Sequence, residues 1–538
     1  MNTGHGFVRG AMLLAGAAVL TKLLGSVYTI VLQNIIGDHG MGLFQMAYPI
    51  YATLLAMATA GFPVAISKLV SERLALYDHH GVSQVFRVAL ALLSALGVAS
   101  FVVLFFGAHF WAEIAGDPEA TWAIRAISPA LLIVPILSAI RGYFQGYQSM
   151  EPTASSQIAE QFVRVATILG LALWLTSQGY GQGIAAAGAA FGAVTGAFAG
   201  LLLLLVYWRK RHPARAVGDE AGPTMPAGAL VRRLIYYAFP ISLGALVVPL
   251  MNNIDVVTVV NLLKHAGDGQ GAATTEFGLL SGRAFKLMML PTTLAAGIGI
   301  AVMPAVSEAF TLGYRRLMNE RIDMAVRLTV MLSFPAAAGL ALLAGPVDIA
   351  LFKNNAGSST IQVLAYATVF ASLQTTLAAV LQGSGKVYLP VYNLLIACVA
   401  KAGLNIVLVP RYGISGAAAA TVISYAVAAV LNLYGMNRYL GTHTLWSRWF
   451  GKPLFATFIM SGFVYAALRQ WERWRPFAGH RLEAALACVL LIVIGIIVYG
   501  AALLASASIA ERELRQVPRI GDTLANVCVA LGLVRSGQ

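Results

Sequence analysis

The sequence predicts an all-α polytopic membrane protein of about fourteen transmembrane helices, in two pseudo-symmetric six-helix lobes with two extra C-terminal helices. Three observations predict it. Of 538 residues, 59% are apolar and only 11% charged, whereas roughly a quarter of a soluble domain is charged. The apolar residues fall into long runs, close to the ~20 residues that a spanning helix needs. The runs also repeat, six against six, as in transporters built from internal copies.

In chain order the runs lie near 10–35, 41–66, 85–107, 123–147, 155–176 and 184–207. A polar stretch, WRKRHPARAVGDEAGPTMPAG (208–228), then interrupts the pattern. The chain resumes near 233–262, 278–305, 324–344, 359–382, 389–409, 415–436, 453–469 and 483–507. This divides it into an N-terminal lobe at 1–208, a linker at 209–232, a C-terminal lobe at 233–437, the last two spans within 438–510, and a tail at 511–538.

An even number of spans puts both termini on one side. Lys and Arg gather in the even-numbered connections: Lys68 and Arg73; Arg209, Lys210, Arg211 and Arg215; Arg315, Arg316 and Arg321; Arg438, Arg448 and Lys452. Basic loops face the cytoplasm, so both termini are expected there. The loop with Glu113, Asp117 and Glu119 reads as external, and the Arg-rich loop at 469–481 is the exception to the pattern. Residues 516–534 are too short and interrupted to span, and suit an amphipathic helix on the inner surface. The first run is too long for a signal-peptide core and lacks a small-residue cleavage site, so it is expected to be retained.

Composition also excludes function classes. The net charge of +14 belongs to the membrane surface, because no basic run interleaved with stacking aromatics points to nucleic acid. Cys398, Cys488 and Cys528 are far apart and have no metal-ligand spacing. No G-x-x-x-x-G-K-[ST] loop is present to bind ATP, and the nine histidines are scattered. No metal, cofactor or covalent chemistry is expected. The glycine-rich stretch 183–200 fits close helix packing.

Within the repeat, 42–72 aligns without a gap on 278–308, matching Gly42 with Gly278, Gly61 with Gly297, and Ser71-Glu72 with Ser307-Glu308. Gln145-Gly146 at the end of span four matches Gln382-Gly383 at the end of span ten, and nineteen residues on from each, Arg164 matches Lys401. Copies of six spans share one orientation and are related by an axis along the membrane normal. Spans thirteen and fourteen fall outside the repeat.

A charge at the middle of a spanning helix costs about 2.5–3.5 kcal/mol on insertion scales, so each one needs a cavity or a partner. Lys22, Ser26, Thr29 and Gln33 draw a polar stripe along span one, and Asn252, Asp255 and Thr258 along span seven. Arg283 and Lys286, three apart in span eight, precede Pro291 and repel each other unless an anion or Asp255 compensates them. Spans five and eleven add Glu160, Arg164 and Lys401, either as structural ion pairs or as cavity groups. Glu72 and Glu308 end their spans near basic residues and read as caps or hinge contacts. The polar faces of spans one, seven and eight are expected to meet in a positive cavity, which suits an anionic, phosphate-bearing substrate.

The stretch KLLGSVYTIVLQNIIGDHGMGLFQMAYPIYATLLAMATAGFPVAISKLVSE (22–72), the stretch LPTTLAAGIGIAVMPAVSEAF (290–310) and the Gln-Gly ends of spans four and ten resemble the stage V sporulation protein B and polysaccharide-transporter family. That family lies in the multidrug/oligosaccharidyl-lipid/polysaccharide exporter superfamily, which includes lipid II flippases. The resemblance covers nearly the whole chain. It implies a central cavity lined by spans one, two, seven and eight, an undecaprenyl-diphosphate-linked sugar as cargo, and a groove for the lipid tail between the last two helices. It also implies a cavity role for Lys286, because lipid II flippases carry a basic residue five before the proline of span eight. The family's cavity arginine in span two has no counterpart near Ala52, which is apolar.

Taken together, Arg283 and Lys286 are expected to hold the diphosphate of a lipid II-like precursor, assisted by Lys22, Ser26 and Gln33. Membrane potential or a Na+ or H+ gradient would drive its passage, with Asp255 and Asn252 as candidates for ion coupling. Expected partners are the lipid-linked saccharide, membrane lipids and cell-wall synthesis proteins. Two rivals stand beside this reading: a cation-coupled drug exporter, whose cavity should favour carboxylates, and a scaffold for cell-wall enzymes that moves nothing.

Overall fold

Residues 3–211, 225–441, 447–474 and 480–506 are described by a computed structural model, and among them the chain is helical without a strand. Most of the linker and the whole 511–538 tail, Cys528 included, lie outside the described residues. So do the side chains of Lys22 and Ser26.

Among the described residues, twelve helical runs are long and apolar enough to cross a membrane. Two of them are pairs of helices joined at a glycine in the left-handed half of φ space, where a Cβ is costly. The first breaks at Gly37, with φ 73°, and the run Leu389–Leu440 breaks at Gly413, with φ 57°. Divided at these points the runs become fourteen spans: six before the polar linker, six after it and two more.

By proximity the chain forms two compact units, Met1–Gly282 with Lys401–Ile414, and Arg283–Ala400 with Ser415–Gln538. The first unit thus holds the first six spans together with span seven and a piece of span eleven. It comprises α1 (Thr3–Thr59), α2 (Phe62–Ala75), α3 (His79–Phe106), α4 (Ala108–Ala115), α5 (Ala120–Ile127), α6 (Ala130–Gly146), α7 (Glu151–Ser177), α8 (Gln182–Arg211), α9 (Ala227–His265) and α10 (Gln270–Gly278).

Local chemistry sets the ends of these helices. Asp78 caps α3 by accepting the Gly81 N–H at 2.6 Å, and Arg73 holds its other oxygen at 2.7 Å. Asp117, read from the sequence as part of an acidic external loop, is fully buried. Its carboxylate accepts from Thr274 Oγ1 at 2.6 Å and Gln270 Nε2 at 3.0 Å, tying the turn after span three to α10. The glycine-rich stretch forms a ladder at four-residue spacing along α8. Cβ atoms on Gly188, Gly192, Gly196 and Gly200 would meet Leu175, Ile168, Arg164 and Glu160 of α7 within 3.2 Å, so the absence of side chains lets the two helices close together.

In the second unit a π-helical turn ending at Ala284 leads into α11 (Phe285–Thr311). There follow α12 (Arg315–Leu342), α13 (Ala344–Phe352), α14 (Ser358–Ala365), α15 (Ala367–Gly383), α16 (Leu389–Leu440), whose segment Lys401–Ile414 belongs to the first unit, α17 (Lys452–Trp474) and α18 (Arg481–Ala505). Val306, Val330 and Val380, all fully buried, centre the core formed by α11, α12 and α15. The two added helices pack through Met460, Val464 and Leu491, against Leu343.

Packing within each unit bears out the repeat. A Cβ on Gly146 would lie 3.1 Å from the Ser67 carbonyl oxygen, and one on Gly383 would lie 2.5 Å from that of Met303. Ser67 and Met303 occupy the same place in the alignment of 42–72 with 278–308. In both copies, therefore, span four or its counterpart rests its terminal glycine on the same backbone point of span two or its counterpart.

Candidate functional site

Among the described residues, three clusters pair charged side chains that lie within the spans or beside them. In the first, on α6 and α7, Glu160 is shared by two guanidiniums: Arg164 Nη2 donates to Oε1 at 2.6 Å and Arg141 Nη2 to Oε2 at 2.9 Å. Arg141 Nε also donates to Ser156 Oγ at 2.9 Å. The pairing of Arg164 with Glu160 fits the spacing of four on one helix face. Arg141 comes from a different span, and sequence reasoning missed it, although it carries the same signal, a charge inside an apolar run.

In the second cluster, Lys401 on α16 donates to Asp255 Oδ2 on α9 at 2.6 Å and to the Met251 carbonyl at 3.2 Å. Asn405, one turn beyond Lys401, fills the other carboxylate oxygen at 3.0 Å and reaches Thr258 Oγ1 at 2.9 Å. Lys401 and Asn405 are fully buried. Burying an ammonium and a carboxylate is tolerable only when they pair and their remaining hydrogen-bonding atoms are met, and here one side of α9 answers one side of α16. Asn252, on the same stripe as Asp255, is half-buried.

The third cluster corrects an expectation. Arg283 is 2% exposed and its Nη1 donates to Asp348 Oδ1 at 2.8 Å and to Asn354 Oδ1 at 2.7 Å, with Phe352 stacked beneath the guanidinium at 4.7 Å. The second oxygen of Asp348 accepts the Gly357 N–H at 2.8 Å and Ser358 Oγ at 3.2 Å. The compensating carboxylate is thus Asp348, on a short helix after span nine, and not Asp255, which Lys401 occupies. The reason is local. Arg283 lies in the π-helical turn, which shifts its direction relative to α-helical spacing, and the turn between α13 and α14 supplies the partners.

Lys286, half-buried on α11, stands five residues before Pro291. Gln33 is buried; its Nε2 donates to Asp38 Oδ1 at 2.7 Å and to the Gly278 carbonyl at 3.3 Å, so it pins the end of span one to α10. Gln45 does the same further along, donating to the Ser281 carbonyl at 3.0 Å. Thr29 turns back on its own helix, to the Gly25 carbonyl at 3.1 Å.

A multi-pass bundle with two six-helix repeats, broken helices and paired charges inside its spans is the build of a membrane transporter. The chain belongs to the polysaccharide biosynthesis protein family, which it matches over residues 7–310. Among its relatives in Bacillus subtilis, the uncharacterized membrane protein YabM is 32% identical over 524 residues, 96% of this chain and 95% of that protein. The lipid II flippase MurJ is 31% identical over 452 residues, covering 81% and 83%. Stage V sporulation protein B is 28% identical over 519 residues, covering 96% and 98%. Among solved structures, a lipid II flippase MurJ in an inward closed conformation superposes with a TM-score of 0.65 at 15% identity, over 91% of this chain and 98% of that one. That likeness is one of fold.

Proposed function

We propose that the protein is a flippase that carries an undecaprenyl-diphosphate-linked cell-wall precursor from the inner to the outer leaflet of a bacterial cytoplasmic membrane, by alternating access and without breaking a covalent bond. The observation that carries this reading is kinship over most of the chain with a lipid II flippase and with stage V sporulation protein B. The sign of the charges in the spans supports it. The four cations Arg141, Arg164, Arg283 and Lys401 outnumber the three carboxylates they meet, Glu160, Asp255 and Asp348. A cation exporter calls for the opposite balance.

In this reading Lys286 holds the diphosphate as a point charge, and Arg283 acts through Asp348 as a positioning residue. Both termini face the cytoplasm, in keeping with the basic even-numbered connections. Both oxygens of Asp255 are already occupied, by Lys401 and Asn405, which favours the membrane potential over a cation bound at Asp255 as the driving force. Moving one charge through 100 mV releases about 2.3 kcal/mol, and an anion leaving an inside-negative cell moves downhill.

The test is translocation of fluorescently labelled lipid II in vesicles reconstituted with the full chain. Wild type should move the lipid faster when a potential is imposed, equally well in sodium or choline salts, and Lys286→Ala should be slower by about tenfold, the value of one charge-assisted contact. A wild-type protein that moves nothing overturns the flippase reading. Lys286→Ala at the wild-type rate removes Lys286 from the site.

A further inference from the structure

The Arg141–Glu160–Arg164 cluster holds two guanidiniums against one carboxylate, and so keeps one positive charge in excess within the spans of the first unit. It also contains donors with nothing to donate to. Arg164 Nε is buried and has no hydrogen-bond partner among the described residues, and neither has Tyr51 Oη, whose residue is 3% exposed. α1, which carries Tyr51, packs against α7, which carries Arg164, with Tyr51 within electrostatic reach of the guanidinium, and the Tyr48 and Tyr51 rings pack at 6.1 Å. Buried polar groups are nearly always satisfied, and a patch of unsatisfied donors beside an excess positive charge calls for an acceptor.

The patch is held rigidly, and the Arg164 side chain is not wholly enclosed. Gly196 of α8 sits where a Cβ would be 2.7 Å from both Arg164 Cβ and the Glu160 carbonyl, so the backbone carrying both side chains is fixed against α8. Glu160 orients both guanidiniums while 18% of the Arg164 side chain stays open. A guanidinium with a free N–H beside a phenol matches the oxygens of a phosphate group, which accept several charge-assisted hydrogen bonds at once.

We propose that Arg164 and Tyr51, with Arg141 and Glu160 behind them, form an anion subsite that takes a phosphate group. Resting on the proposed function, that group is one phosphate of the lipid-linked diphosphate, bound within the first unit by residues other than Lys286. A free phosphate or diphosphate ion presents the same chemistry, and the test separates the two sources.

The test measures binding of undecaprenyl diphosphate to the purified full chain, by competition against a fluorescent analogue, for wild type, Arg164→Gln and Tyr51→Phe. Inorganic diphosphate and neutral undecaprenol serve as further competitors. Tyr51→Phe is the decisive variant. Its hydroxyl makes no hydrogen bond among the described residues, so its removal should leave thermal unfolding unchanged or slightly later. It should still weaken undecaprenyl diphosphate binding by about threefold to tenfold, with Arg164→Gln weaker by about tenfold or more, the range of one neutral or one charge-assisted hydrogen bond. Competition by inorganic diphosphate assigns the seat to the phosphate group itself, and competition by undecaprenyl diphosphate alone assigns it to the lipid-linked form. Both outcomes support the subsite. Wild-type affinity in a folded Tyr51→Phe and Arg164→Gln overturns it while leaving the flippase reading in place, as does equal competition by undecaprenol. A wild-type protein that binds no diphosphate in any form overturns both.

Discussion

Gly42 and Gly278 hold equivalent places in the two repeats, and they face each other across one helix crossing. A Cβ on Gly42 would collide with the Thr274 carbonyl, one on Gly278 would collide with the Asp38 carbonyl, and the latter would also stand 3.0 Å from the Gly42 nitrogen. Asp38 and Thr274 each stand four residues before the paired glycine, so each copy offers the other its glycine and the carbonyl four residues before it.

This reciprocity makes the crossing intolerant of any side chain. Gly42→Val and Gly278→Val should each destabilise the folded protein by about 1–3 kcal/mol through backbone displacement, read as an earlier thermal unfolding in detergent. Gly297→Ala is the control: it is the repeat counterpart of Gly61, and among the described residues no atom beyond its own stretch of helix lies within 4 Å of its would-be Cβ. Unchanged unfolding of Gly278→Val would refute the close crossing.

The Lys401–Asp255 pair should behave as a unit. Lys401→Ala strands a buried carboxylate, a loss of about 3–5 kcal/mol when one member of a buried pair is removed. Lys401→Met combined with Asp255→Leu removes both charges and should recover most of that stability, although Asn405 then lacks its acceptor. A double variant no more stable than Lys401→Ala would show that the pair is not coupled.

Arg283 and Lys286 should separate in their effects. Arg283→Ala leaves Asp348 without its guanidinium in a fully buried place, so the yield and thermal stability of folded protein should fall, again by about 3–5 kcal/mol. Arg283→Ala together with Asp348→Ala should regain part of the loss. Lys286→Ala should unfold close to wild type and lose transport instead. A transport defect in Arg283→Ala at wild-type stability would return Arg283 to direct contact with the substrate.

Along α8, Gly196→Leu should force α7 and α8 apart, because the place of its Cβ is already taken by Arg164 and Glu160. The expected cost is again about 1–3 kcal/mol of overpacking, accompanied by weaker diphosphate binding as Arg164 shifts. Cysteine cross-linking between the facing helices in a Gly196→Leu background, compared with wild type, reads the displacement directly.

Much of this was open to reading in one dimension. Span lengths, the six-plus-six repeat and the glycine stretch at 183–200 are periodic or compositional, and each is set by the bilayer's thickness or by backbone packing that recurs every few residues. The charges inside apolar runs could likewise be located, because lipid makes them conspicuous. Only the Arg164–Glu160 pair, four residues apart on one helix, could also be matched to its partner.

The partners of the other charges were settled by tertiary structure. Lys401 finds Asp255 across 146 residues and Arg283 finds Asp348 across 65, distances over which sequence spacing carries no direction. Arg141 joins Glu160 because α6 lies beside α7, and Arg283 is turned onto Asp348 because a π-helical turn interrupts its helix. Sequence by itself determined how many times the chain crosses the membrane and which charges it carries inside. Packing decided which of those charges are neutralised, and it left the positive excess at Arg141 and Arg164, since a Coulomb interaction in a low-dielectric interior depends on distances of a few ångströms that only the folded helices define.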